Sequence, residues 1–150
     1  MVSVREARPA DVDEVLRLVR DSAASQGALE AVCVDAPTLC EEMFGPRARV
    51  HALVADAGGA VVGVAIYFFT FSTWVSVNGI HLEDLFVDPP WRRHGVARAL
   101  MDALVGVAAA HDCRRLQWFV LQHNADAIRF YESFGAKVAN GWAIMHLDRS

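Results

Sequence analysis

Apolar residues along this chain recur with two different periods, and the changes of period mark its elements. Val2–Ala7 alternates loosely, as a strand does. Pro9-Ala10-Asp11 opens a helix with Asp11 in the N-cap position, and Val12, Val15, Leu16 and Val19 then line one face. From Ala23 to Gly45 the helical spacing persists but is punctuated by Gly27, Pro37 and Gly45-Pro46, which predicts an irregular second helical segment. Val50–Ala55 and the β-branched, aromatic run Ala60–Phe71 read as two strands, joined by a turn at Asp56-Ala57-Gly58-Gly59. Asn78-Gly79 is a turn signal. Ile80–Val87 is the next strand, and Asp88-Pro89-Pro90 ends it because prolines cannot continue a ladder.

The second half of the chain repeats a strand-helix-strand order. After Gly95, Val96, Leu100, Leu104 and Ala108 recur every four residues, which predicts a long amphipathic helix. Arg115–Leu121 reads as a strand. Asn124 caps a short helix with Ala127, Ile128, Tyr131 and Phe134 on its apolar side and Gly135 at its end. Trp142–Leu147 reads as a last strand. The expected fold is a single α/β domain over residues 1–150, mixed α and β around one sheet.

Composition narrows the function classes. With 150 residues, 54% hydrophobic and 21% charged, the chain can bury a real core and is not disordered. A net charge of −4 without a basic stripe argues against a nucleic-acid partner. No apolar run reaches the roughly 18 residues of a membrane span, and Met1-Val2-Ser3-Val4-Arg5-Glu6 is no signal peptide, so no membrane partner and a cytoplasmic location are expected. Cys33, Cys40 and Cys113 lack metal-ligand spacing, and no metal is expected.

Two local patterns carry the chemistry. Arg92-Arg93-His94-Gly95-Val96-Ala97 lies between a strand and a helix, where unpaired N–H groups and the helix dipole suit an anion and a glycine admits a phosphate to the backbone. Alone, the same letters also fit a plain tight turn among solvated arginines. The turn lacks the Gly-Lys-Ser/Thr of a Walker loop and the first glycine of a dinucleotide fingerprint. It does resemble the Arg/Gln-x-x-Gly-x-Gly/Ala signature of the GNAT acetyltransferases. The run from Asn124 to Ala136 resembles that family's second hallmark, Asn-x-x-Ala-x-x-Phe/Leu-Tyr-x-x-x-Gly-Phe/Ala, at every keyed position.

The resemblance implies a mixed, mostly antiparallel central sheet with helices on both faces. It implies acetyl-CoA as donor, with the pyrophosphate on the turn formed by Arg92, Arg93, His94, Gly95, Val96, Ala97 and Arg98. It also implies a pantetheine arm along Leu85, Phe86 and Val87, contacts from Asn124 and Ala127, and Tyr131 as the acid beside the departing sulfur. A tyrosine, with a pKa of roughly 10, can protect a thiolate of pKa roughly 8.5 while staying protonated beforehand. By periodicity alone, Tyr131 is equally a core aromatic.

An amine acceptor arrives as an ammonium ion and needs a base. His81, Glu83 and Asp84 lie on the strand before the turn, but neighbouring strand residues face opposite ways, so Glu83 and Asp84 share a pocket only if a bulge intervenes. Tyr67–Trp74 followed by Leu82-Glu83-Asp84-Leu85-Phe86-Val87 is similar to the diamine (spermidine/spermine) N-acetyltransferase branch, across most of the chain. That likeness implies Glu83 as the residue that recognises and deprotonates the amine, Asp84 and Trp118 as further substrate contacts, and a homodimer. A carboxylate in an edge-of-sheet ion pair is the plainer reading of Glu83. The chain departs from the branch at Ser25-Gln26, where the branch has an aromatic-acidic pair, and at Lys137-Val138-Ala139-Asn140, where it has an acidic stretch. The expected acceptor is therefore a small primary amine with one local cationic centre, a diamine or a thialysine-like compound. The alternatives are a protein or peptide N-acetyltransferase and a non-catalytic CoA-binding module.

Overall fold

The computed structural model describes residues 1–149, in two compact units that divide after Trp118, residues 1–118 and 119–149. In the first, β1 (Ser3–Glu6), β2 (His51–Ala57), β3 (Ala60–Ser72), β4 (Val77–Val87) and β5 (Cys113–Trp118) form one sheet in sequence order. The first four strands are antiparallel and β5 runs parallel to β4. That connection needs a crossover, supplied by α3 (Val96–Ala110).

The two faces of the sheet are sorted by strand alternation. Ala52, Val54, Val64, Ile66 and Phe86 pack with Val12, Val15, Leu16 and Leu18 of α1 (Val12–Ser25) and Leu39 and Met43 of α2 (Ala36–Phe44). Residues of opposite parity, among them Ala55, Ala65 and Tyr67, lie on the face covered by α3. Val96, Leu100, Leu104 and Ala108 of α3 are buried as their spacing predicts, joined by Met101. Each fully buried leucine there stabilises by roughly 1.5–3 kcal/mol relative to exposure. The mostly antiparallel sheet with helices on both faces is therefore present.

Several sequence expectations move. Asp11 is the N-cap residue of α1, but its side chain makes no capping bond to that helix. It sits in a short 3-10 turn, Pro9–Asp11, and accepts from the Arg8 amide (2.7 Å) and twice from Arg5 (2.8 and 3.0 Å). The Arg5 guanidinium holds its carboxyl below the usual range. Pro37 opens α2 instead of interrupting it, because its missing N–H costs nothing in a first turn; Asp35 caps that turn through the Thr38 amide at 2.8 Å.

Asn78-Gly79 is not a turn. The β3–β4 reversal lies at residues 73–76, and Gly79 is a rung of β4 opposite Thr70. A Cβ at Gly79 would stand 2.8 Å from Thr70 Oγ1 and 3.0 Å from the Arg115 carbonyl, so the glycine lets three strands close up. The expected strand Arg115–Leu121 is set two residues earlier, as β5.

The second unit holds α4 (Ala125–Glu132). The expected strand Trp142–Leu147 is not formed. Among the described residues it joins no ladder, and Trp142, Ile144, Met145 and Leu147 are exposed. A run of apolar residues makes a strand only where an edge supplies hydrogen-bond partners.

Candidate functional site

β4 carries the irregularity that Glu83 and Asp84 require. Asp84 pairs with Ile66 and Leu82 with the next residue, Tyr67, so Glu83 is one extra residue in β4. This is a β-bulge, and it re-aims side chains. Asp84 now shares the α1/α2 face with Ile66, and His81, opposite Phe68, lies on the same face. Glu83 Oε2 reaches to 3.6 Å from His81 Nε2. The imidazole is buried (6% exposed) and stacked on Phe68, with ring centres 4.9 Å apart and planes at 28°. The Glu83 side chain stays largely in solvent.

The bulge also sits where the sheet opens. β4 pairs with β5 from Asn78 to Leu82, and Trp118 is the last rung, opposite Leu82. From Glu83 to Val87, β4 has β3 on one side and, among the described residues, no ladder with β5 on the other. The β4–β5 ladder therefore ends beside the carboxylate pair. Leu85 lies on that edge without a β5 partner, and the Val87 carbonyl is taken by Arg92. Phe86 is different: its ring belongs to the core, with the Arg92 guanidinium 5.1 Å above it, so only its backbone is available at the edge.

Asp84 is half-buried, and desolvation first, then the neighbouring Glu83 charge, push its carboxyl up to about 6. A raised carboxylate favours the fold only while protonated. Its contribution is full below the unfolded value of 3.8 and is lost as pH rises through about 6. Asp84→Asn removes that loss. We expect it to stabilise the ligand-free protein at pH 7.5 by about 1–3 kcal/mol, a rise in Tm of about 2–4 °C per kcal/mol, with little gain at pH 4. Thermal unfolding at the two pH values checks this; equal shifts at both would show that Asp84 is not desolvated.

The turn after β4 is built by local bonds. Asp88 donates its amide to Val62 and accepts from Trp91 across the 3-10 turn Pro89–Trp91. Arg17 of α1 grips the Asp88 carboxylate with two bonds (3.0 and 3.1 Å) and the Val61 carbonyl with a third (3.1 Å), tying α1 to the start of the turn. The sequence hides this contact, because Arg17 also has helix-surface partners in Glu14 and Asp21. Arg92 folds back, its Nε donating to the Val87 carbonyl at 3.0 Å. One N–H of the guanidinium thus braces β4, and four others remain on an exposed side chain. Arg93 and Gly95 both take positive φ (64° and 78°). Gly95 is the N-cap of α3, and a Cβ built on it meets no atom within 4 Å, so the backbone is open on that side. His94, Val96, Ala97 and Arg98 complete the turn and first helical residues. An exposed helix start with left-handed residues before it suits a diphosphate.

In the second unit Asn124 caps α4 as predicted, its Oδ1 accepting from the Ala127 amide at 3.2 Å. Tyr131 lies toward the end of α4 with its ring 5.3 Å from that of Phe130. Burial pushes its hydroxyl pKa above the ordinary value. Gly135 follows in a left-handed turn (φ 90°).

No helix among the described residues is long and apolar enough to cross a membrane. The acetyltransferase (GNAT) family profile matches residues 16–136, which include both hallmark patterns. The chain is 33% identical to thialysine N-epsilon-acetyltransferase of Bos taurus, over 94% of this chain and 89% of that one. It is 28% identical to the human spermidine/spermine N(1)-acetyltransferase-like protein 1, over 97% of this chain and 22% of that longer protein. A transcriptional regulator from Bacillus halodurans C-125 has the same fold, with a TM-score of 0.81 over 98% of this chain and all of that one, at 22% identity. The profile match, the order of the two hallmarks and the bulged β4 agree: the chain belongs to the GNAT family of acetyltransferases and is an N-acetyltransferase.

Proposed function

We propose that residues 1–150 act as one domain that moves an acetyl group from acetyl-CoA to the primary amine of a small molecule. The observation that carries this reading is the bulge at Glu83, which sets two carboxylates side by side where the β4–β5 ladder ends. The donor's diphosphate lies on the backbone of residues 92–98, its pantetheine arm follows the edge of Leu85–Val87, and Asn124 and Ala127 contact that arm. Glu83 takes a proton from the incoming ammonium, Asp84 and Trp118 border the acceptor, and Tyr131 protects the departing thiolate. No metal is needed, because the thioester is already activated.

The acceptor is a small amine with one local cationic centre, such as the side-chain amine of thialysine. Two neighbouring carboxylates attract one ammonium group and favour its approach. A long polyamine wants further carboxylates, and Ser25, Gln26 and Asn140 are neutral where the diamine branch is acidic. Glu42 is taken up by Arg49 at 3.0 Å. A cytoplasmic homodimer completes the proposal, on the likeness to the diamine branch.

Release of free coenzyme A, followed with a panel of thialysine, short diamines, spermine and lysine peptides, tests the reading. Thialysine or a short diamine should give the highest kcat/KM. Glu83→Gln should lower kcat by about 10²-fold or more while acetyl-CoA still binds. A preference for spermine or peptides would refute the acceptor, and an unimpaired Glu83→Gln variant would refute the base.

A further inference from the structure

Acetylating an ammonium group removes two protons from one nitrogen: three N–H bonds enter and one remains in the amide. A single carboxylate holds one proton at a time. A base next to Glu83 can take the first and leave the carboxylate ready for the second.

We propose that His81 is a positioning residue that acts through Glu83, drawing off the proton that Glu83 takes from the amine. The inference rests on the function proposed above. Its geometry is the 3.6 Å gap between His81 Nε2 and Glu83 Oε2, created by the bulge. The two partners differ in freedom. The imidazole is held by burial and by its stack on Phe68, whereas the Glu83 side chain is 55% exposed and can swing. Glu83 therefore moves between the amine and a fixed acceptor, closing the gap by a small rotation or through one bridging water. Asp84 lies on the same face of the sheet, one residue beyond the bulge. The ladder neighbours Phe68 and Gln117 carry no charge against His81.

The bonds balance. An N–H bond of the ammonium breaks as an O–H bond forms on Glu83. That O–H breaks as an N–H forms at His81 Nε2, which leaves Glu83 a carboxylate and His81 an imidazolium. The nitrogen lone pair attacks the acetyl carbon, and Glu83 is free to accept the second proton as the C–N bond forms and the C–S bond breaks. The thiolate takes one proton from Tyr131, which is restored from solvent, and the site releases the other two when product leaves.

The experiment measures single-turnover rates with thialysine for His81→Phe and His81→Gln, each in the native and Glu83→Gln backgrounds. Phenylalanine keeps a ring against Phe68. Glutamine keeps a polar group near Nε2 but takes up no proton. Both variants should be about tenfold slower or worse in the native background, with unchanged acetyl-CoA affinity and Tm, and should cause no further loss with Glu83→Gln. Native rates in the glutamine variant, or losses that simply multiply with that of Glu83→Gln, would overturn the inference. A native protein that acetylates nothing in the panel, or a Glu83→Gln variant as fast as the native one, would overturn the proposed function and this with it.

Discussion

Replacing Gly95 with aspartate should abolish measurable acetyl-CoA binding while leaving a folded protein. The two halves of that expectation have separate causes. A Cβ at this position meets no atom within 4 Å, so nothing in the fold is displaced. The remaining cost is the left-handed backbone, φ 78°, which a side chain tolerates at about 1–2 kcal/mol. Binding suffers differently, because the same open space is where a diphosphate would approach the start of α3. A carboxylate about 4–5 Å from a phosphate charge opposes it by about 3–4 kcal/mol at the effective dielectric of a protein surface. That corresponds to roughly a 100- to 1000-fold loss in affinity. Gly95→Asn is the control, since asparagine has the shape of aspartate, carries no charge and is among the residues that best tolerate left-handed backbone. Calorimetry should show Asn intermediate and Asp without detectable heat at ligand concentrations that saturate the native protein. Equal, native-like affinity in both variants would remove the diphosphate from this turn.

How much of this site the sequence shows depends on which residues settle each feature. The turn at Arg92–Ala97 is local: a strand end, two prolines, a glycine and an amphipathic run lie within some twenty residues, and short-range signals suffice. The helix capped by Asn124 is local in the same way. The bulge at Glu83 is not. Two adjacent carboxylates pose the question, but which residue is extra depends on the register against Ile66 and Tyr67, fixed by β3 and not by β4. The roles of arginines are equally non-local. Arg92 looks like a phosphate ligand by position, yet one of its N–H groups also braces the Val87 carbonyl, and Arg17 looks like a surface residue yet anchors Asp88.

Two misreadings have the same origin. Asn78-Gly79 carries a strong turn signal, because glycine usually marks φ freedom. Here the glycine answers a tertiary need, the close approach of Thr70 and Arg115. The strand expected at Trp142–Leu147 rests on a run of apolar residues, which states what a segment would bury and not whether an edge is there to pair with it. Both show local propensity yielding to partners far along the chain.

Tyr131→Phe should lower the turnover number by about 10²–10⁴, with acetyl-CoA affinity changed by no more than roughly threefold, below 1 kcal/mol. The substitution deletes one hydroxyl and keeps the ring that packs beside Phe130 at 5.3 Å, so the helix that carries it stays intact. The size of the effect follows from the leaving group. Expelling a thiolate from a tetrahedral centre concentrates charge on sulfur, and a donor aimed at that charge is worth more in the transition state than in the bound ground state. Burial raises the Tyr131 hydroxyl above its ordinary pKa, so the phenol arrives protonated across the working pH range. It gives up its proton only as the thiolate forms, when the coenzyme sulfur becomes the competing base. Rapid-quench measurement with saturating donor and acceptor isolates the chemical step from product release. The rate of that step should fall while Kd for acetyl-CoA, measured separately, holds. An unchanged rate would make Tyr131 a packing residue of α4 and leave the thiolate to be protonated by solvent.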